Sequence, residues 1–134
     1  MIVLTNTTAQ TLEAGAALAF DSVVVKTKNG CECHRGNSPT VKLCQNGIYD
    51  ITFTANVGGG AGTQASMAVY DAGEQLPETR MVATIVADTD VYNIAASTAL
   101  KHCCCDGGRI AVANYGTTPV VVQPGSALFI KRLA

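Results

Sequence analysis

The segment from Gly47 to Val57 alternates between apolar and polar residues with a period of two. Tyr49, Ile51, Phe53, Ala55 and Val57 fall on one side, while Asp50, Thr52, Thr54 and Asn56 fall on the other. Successive side chains of a β-strand point to opposite faces, so this pattern predicts a strand with one buried face. Gln45-Asn46-Gly47 supplies turn residues before it, and Gly58-Gly59-Gly60-Ala61-Gly62 ends it. A strand of this kind needs partner strands at its edges and a second apolar layer over its buried face.

The rest of the sequence supplies partners at regular spacing. Strand-like runs occupy 20–28, with the β-branched Val23-Val24-Val25, then 40–44, 64–71, 81–87, 91–102, 109–114, 119–122 and 126–132. Gly, Pro, Asn or Asp punctuates most of the junctions, as a chain of antiparallel strands requires. The Ala-rich stretch Ile94 to Lys101 also has helical propensity, but its flanks are short and β-like. Many short strands separated by turns predict an all-β sandwich or jelly roll of about ten strands, spanning residues 1–134 as one domain.

Composition narrows the classes. Charged residues are 14% of the chain and apolar residues 48%, which excludes a disordered polypeptide. A net charge of -1 excludes a general electrostatic grip on nucleic acid or anionic lipid, so neither nucleic acid nor membrane is expected as a partner. The start of the sequence has no basic segment ahead of its apolar residues and reads poorly as a signal peptide. No apolar run approaches the ~18 residues needed to cross a bilayer. Synthesis and folding in a cytoplasm are expected. Because Met1 leads directly into a strand-like segment, a complete chain is expected too.

Three segments, in this order, carry a family likeness. Gly47-Ile48-Tyr49 opens one strand, Val69-Tyr70-Asp71-Ala72-Gly73-Glu74 ends another in a turn, and Gly108-Arg109-Ile110-Ala111-Val112 turns into a third. Each motif alone is weak, but their order along nearly the whole chain resembles the trimeric jelly rolls of the tumour-necrosis-factor and complement type. The likeness is nearest to bacterial and phage members such as the C-terminal domain of the collagen-like exosporium glycoprotein. The chain departs from them in lacking a Gly-X-Y stalk. The resemblance implies a homotrimer with inner sheets facing a common axis. It places 64–71, 109–115 and 126–132 in the inner sheet, with Tyr70, Ala111, Ala113, Tyr115 and Phe129 at the trimer interface. Low charge points the same way, since exposed apolar area usually marks an interface. A monomer with these residues only in its core is the alternative.

Residues able to carry chemistry are few. His34 and His102 are the two histidines, and each lies beside cysteine. A nucleophilic pair could be built from Cys33 with His102, or from Cys103 with His34, but neither comes with a visible orienting group. Asp88-Thr89-Asp90 offers two carboxylates to calcium, although such pairs on turns are more often solvated. The Gly58 to Gly62 stretch lacks the Gly-Lys-Ser/Thr ending of a phosphate loop. No enzyme and no cofactor are expected.

The six cysteines, Cys31, Cys33, Cys44, Cys103, Cys104 and Cys105, permit three readings. Together with His34 and His102 they are numerous enough for a zinc site, of which Cys31, Cys33, His34, His102 and Cys103 are the candidates. They could pair as disulfides, or they could be inert small hydrophobes. On a strand Cys31 and Cys33 would share a face, whereas Cys103 to Cys105 could not all serve one site. Reduced cytoplasmic assembly and the absence of C-x2-C spacing favour inert thiols.

The function expected from these observations is a non-enzymatic structural protein of a phage virion: a head decoration, head fibre or tail-associated trimer. It would be made in the host cytoplasm, then carried on the virion surface against other virion proteins. A receptor- or carbohydrate-binding head that recognises a cell-surface receptor is the alternative. A protein of a spore or cell surface is a second. Fold alone does not separate these roles.

Overall fold

The computed structural model describes residues 1–28, 30, 32–103 and 108–134. The strands, in chain order, are β1 (Ile2–Thr5), β2 (Gln10–Leu12), β3 (Ser22–Lys26), β4 (Glu32–Cys33), β5 (Val41–Leu43), β6 (Gly47–Gly58) and β7 (Gln64–Asp71). They continue with β8 (Glu74–Gln75), β9 (Met81–Thr84), β10 (Tyr92–His102), β11 (Arg109–Asn114), β12 (Val120–Val122) and β13 (Ala127–Arg132). One turn of 3-10 helix, Pro77–Thr79, precedes β9. Among the described residues these strands form two antiparallel sheets, of seven and six strands.

The alternating segment is the centre of the first sheet. One edge of β6 pairs with β10 along its length, from Val57 with Tyr92 to Gly47 with His102. Its other edge pairs with β13 and then β12. From β13 the sheet continues through β1 to β3, and from β12 to β2. The second sheet runs β4, β5, β11, β7, with β8 and β9 both paired to β7. Tyr49, Ile51, Phe53, Ala55 and Val57 are all buried, so the predicted face is the face that packs inward. They share one core with Leu4, Leu128 and Ile130 from the same sheet and Met67, Val69, Ile110 and Val112 from the other.

The strands expected at 64–71 and 109–114 have those bounds. The run at 20–28 contracts to Ser22–Lys26, because Phe20 turns into the core instead of continuing an edge strand. The short strands β2, β4 and β8 were not anticipated; segments of two or three residues carry no measurable alternation. Residues 94–101 are extended, which removes the helical alternative. Eleven ladder pairs with β6 outweigh the propensity of an Ala-rich stretch.

Two connections shape the outward face of the second sheet. Ala72 and Gly73 form the two-residue turn between β7 and β8, with φ of 51° and 85°. Positive φ at both positions is what a tight hairpin of right-twisted strands needs. The Ala72 amide also donates to the Arg109 carbonyl at 3.0 Å, fastening the turn to the start of β11. Further along, the loop at 15–18 runs beside β11: Leu18 N–H donates to Val112 O and Asn114 N–H to Ala16 O. β11 is therefore flanked by β5 at 109–110 and by this loop at 112–114.

Candidate functional sites on two opposite faces

The ladder registers define a continuous row across the outward face of the first sheet. Ser97 stands opposite Thr52, Thr52 opposite Phe129, Phe129 opposite Val3, and Val3 opposite Val25. The neighbouring row of Ala96, Phe53, Leu128 and Leu4 points into the core. A second outward row contains Ala95, Thr54 and Ala127. These rows hold small, hydroxyl-bearing and apolar side chains and no formal charge. Asp50 and Lys131 lie opposite each other one row further toward the sheet's end. Thr52 and Ser97 hydroxyls are 3.1 Å apart, so their hydrogen-bonding capacity is partly used within the sheet.

Of the five residues expected at a trimer interface, only Phe129 lies on this sheet. Tyr70, Ala111, Ala113 and Tyr115 belong to β7, β11 and the residue after it, in or beside the second sheet. The placement of 64–71, 109–115 and 126–132 in one inner sheet is thus corrected. Strand order in a jelly roll is non-local, and alternation reports which side of a strand is buried but not which sheet holds it.

Tyr70, Ala111 and Ala113 line a concavity of about 630 Å³, together with Gly15, Thr40, Ala72, Gly73 and Arg109. It lies where the 15–18 loop, Thr40 just before β5 and the Ala72-Gly73 turn meet over β11. Small side chains make the floor, and Tyr70 provides the aromatic wall. Gln75 Nε2 donates to the Tyr70 hydroxyl at 3.3 Å. Tyr115 lines a different hollow with Gln64 and Ser66, and the Arg80 guanidinium sits 5.9 Å from its ring centroid.

A second concavity of about 430 Å³ adjoins the first, with Thr40 and Arg109 lining both. Its other walls are Cys33, His34, Arg35, Ser38, Lys42 and Cys44. Cys33 stands opposite Lys42, and Lys42 opposite Arg109, so one outward row crosses β4, β5 and β11. Their sequence neighbours Glu32, Val41, Leu43 and Ile110 are buried, which fixes the direction of the row. The Cys33 and Cys44 sulfurs lie 2.9 Å apart. His34 Nε2 is 2.9 Å from Ser38 O, and its Nδ1 is buried without a hydrogen-bond partner among the described residues.

The other chemical candidates lie elsewhere. His102 ends β10 opposite Gly47, buried with its ring edge-on to Tyr49 at 6.3 Å. A Cβ on Gly108 would come within 2.5 Å of His102 Nδ1, so only glycine fits beside that ring. Neither His102 nor Cys103 lines the Cys33 concavity, and no hydrogen bond joins Cys33 with His102 or Cys103 with His34 among the described residues. Among the described residues no group of three His, Cys, Asp or Glu gathers as a metal site. Cys31, Cys104 and Cys105 lie outside the described residues.

The loop carboxylates have structural partners. Asp88 Oδ1 accepts from Ala61 N–H at 2.7 Å, holding the glycine-rich connection after β6. Asp90 Oδ2 accepts from Ala87 N–H at 3.1 Å and from the Tyr92 hydroxyl at 3.0 Å. Desolvation, followed by the hydrogen bond to Asp90, raises the Tyr92 pKa above its ordinary value.

No family model and no curated protein matches this sequence. Solved structures do match in fold. The globular domain of zebrafish complement 1qA protein superposes with a TM-score of 0.74 at 6% identity, covering 99% of this chain and 96% of the other. The structure of Eiger TNF from S. frugiperda gives 0.77 at 15% identity, over 99% and 91%. The PRD1 vertex protein P5 gives 0.56 at 14% identity, over 99% and 96%. The chain therefore has the jelly-roll fold of the TNF and complement globular domains.

Proposed function

We propose that this chain is a non-enzymatic structural protein of a phage virion, assembled as a homotrimer through the outward face of its first sheet. The observation that carries the reading is the uncharged row Ser97, Thr52, Phe129, Val3 and Val25. A five-strand surface of small and apolar side chains suits burial against copies of itself, because no charge has to be desolvated. Val25, at the end of that row, is exposed. Support for the virion role comes from the PRD1 phage vertex protein, which has the same fold. The protein would be made in the host cytoplasm and carried on the particle surface, with other virion proteins as neighbours.

Quantitative mass spectrometry of purified particles from an infected host tests this reading. The account expects the chain in stoichiometric amounts relative to the capsid protein, in multiples of three. Its absence from particles would overturn the virion assignment. A receptor- or carbohydrate-binding head is the second reading, favoured by the paired concavities on the second sheet. A spore-surface role rests on the likeness to exosporium heads alone.

A further inference from the structure

Arg35, Lys42 and Arg109 all line the concavity beside Cys33, and none has an ion-pair partner among the described residues. No carboxylate stands among its described lining residues. This is an unusual concentration of positive charge for a chain whose formal net charge is -1. Lys42 and Arg109 even stand directly opposite each other in the ladder, where like charges are destabilising. A local rule broken without a compensating contact is expected where a surface serves binding, since stability alone would select against it. His34 of the same wall buries its Nδ1 without a hydrogen-bond partner among the described residues.

Arg109 also lines the adjoining hollow, whose floor is Ala111 and Ala113 and whose wall is Tyr70. The two hollows thus form one trough, cationic at one end and aromatic over a small-residue floor at the other. Guanidinium groups bind planar or tetrahedral oxyanions through paired N–H donors, and a tyrosine ring packs against the apolar C–H face of a sugar ring. The left-handed Ala72, fastened to the Arg109 carbonyl, holds the rim in a backbone conformation that non-glycine residues seldom adopt.

We infer that this trough binds an acidic saccharide: a sugar ring over Ala111 against Tyr70, with its sulfate or carboxylate held by Arg109, Lys42 and Arg35. The trough lies on the second sheet and the uncharged row on the first, so assembly through that row leaves it open. The inference therefore stands whether or not the virion reading does.

Titration calorimetry of the full chain with four probes tests it: a sulfated disaccharide, a uronic-acid disaccharide, their uncharged parent and inorganic sulfate. At least one acidic disaccharide should bind more tightly than both the parent and inorganic sulfate by about tenfold or more. Arg109→Gln and Lys42→Gln should each weaken that binding by about tenfold. Tyr70→Ala should weaken the disaccharide while leaving inorganic sulfate unaffected. Arg35→Gln, at an exposed position, serves if either ladder variant fails to fold. No binding of either acidic disaccharide at about 10 mM overturns the assignment. So does equal binding of the parent, affinity unchanged in the charge variants, or inorganic sulfate binding as tightly as the saccharides.

Discussion

Lys42 of β5 and Arg109 of β11 occupy directly opposed ladder positions on the outward face of the second sheet, with no acidic residue between them. Opposed like charges repel across the ~5 Å that separates such neighbours, and an opposite-charge pair in the same register attracts. Lys42→Glu should therefore stabilise the fold by about 0.2–1 kcal/mol. Urea unfolding at low salt measures this. A destabilised variant would mean that the two side chains diverge and that Lys42 contributes through packing of its stem.

Phe53 stands at the centre of the most legible element of the sequence. It is fully buried, flanked in the ladder by Ala96 and Leu128. Phe53→Ala should cost about 3–5 kcal/mol. A loss below about 1 kcal/mol by chemical denaturation, the scale of a surface change, would contradict the core assignment.

β6 was legible because it repeats its buried face several times along its length, whereas β7 is buried on both faces over 65–69 and was bounded by its turns rather than by alternation. Ser97, Thr52 and Phe129 were not legible as one surface. Their adjacency depends on pairing between segments far apart in sequence, and nothing local specifies that pairing. Tyr70 and Ala111 are neighbours in one sheet, as expected, but that sheet is not the one that holds Phe129. The cationic end of the trough was hidden for a related reason. Arg35, Lys42 and Arg109 are scattered through the sequence, and only the β5–β11 pairing brings the last two together.

Asn114 is fully buried and closes three connections at once. Its Nδ2 donates to Leu12 O at 3.0 Å and to Thr118 O at 2.8 Å, while its Oδ1 accepts from Gly116 N–H at 2.9 Å. Asn114→Ala leaves these backbone groups without their partner, at about 1–3 kcal/mol for each one that water cannot reach. Thermal unfolding should show a clear loss. An unchanged melting temperature would mean that the loop reorganises to satisfy all three.

Asp21 is held by Thr7, whose hydroxyl donates to Oδ2 at 2.5 Å and whose amide donates to Oδ1 at 2.8 Å. The Thr7 hydroxyl, then the Thr7 amide, favour the carboxylate and lower its pKa below the ordinary 3.8. A lowered folded-state pKa means the folded chain binds fewer protons than the unfolded one. The contribution is complete above the ordinary aspartate range and is lost as the pH falls through the lowered value. Thr7→Val removes the hydroxyl and should move the Asp21 titration midpoint, followed by NMR, upward toward its ordinary position. A midpoint that stays put would assign the shift to the backbone alone.

The central claim is that the outward face of the first sheet joins copies of this chain. Its most direct measurement is the solution mass by light scattering of the wild type and of an Ala95→Arg, Ser97→Arg variant. Both positions are exposed on the edge strand β10, so the substitutions leave the core intact. The account predicts a wild-type mass three times that of the 13.8 kDa chain, and a folded monomer for the variant. A wild type that is monomeric at micromolar concentration, or a variant that remains trimeric, would contradict it.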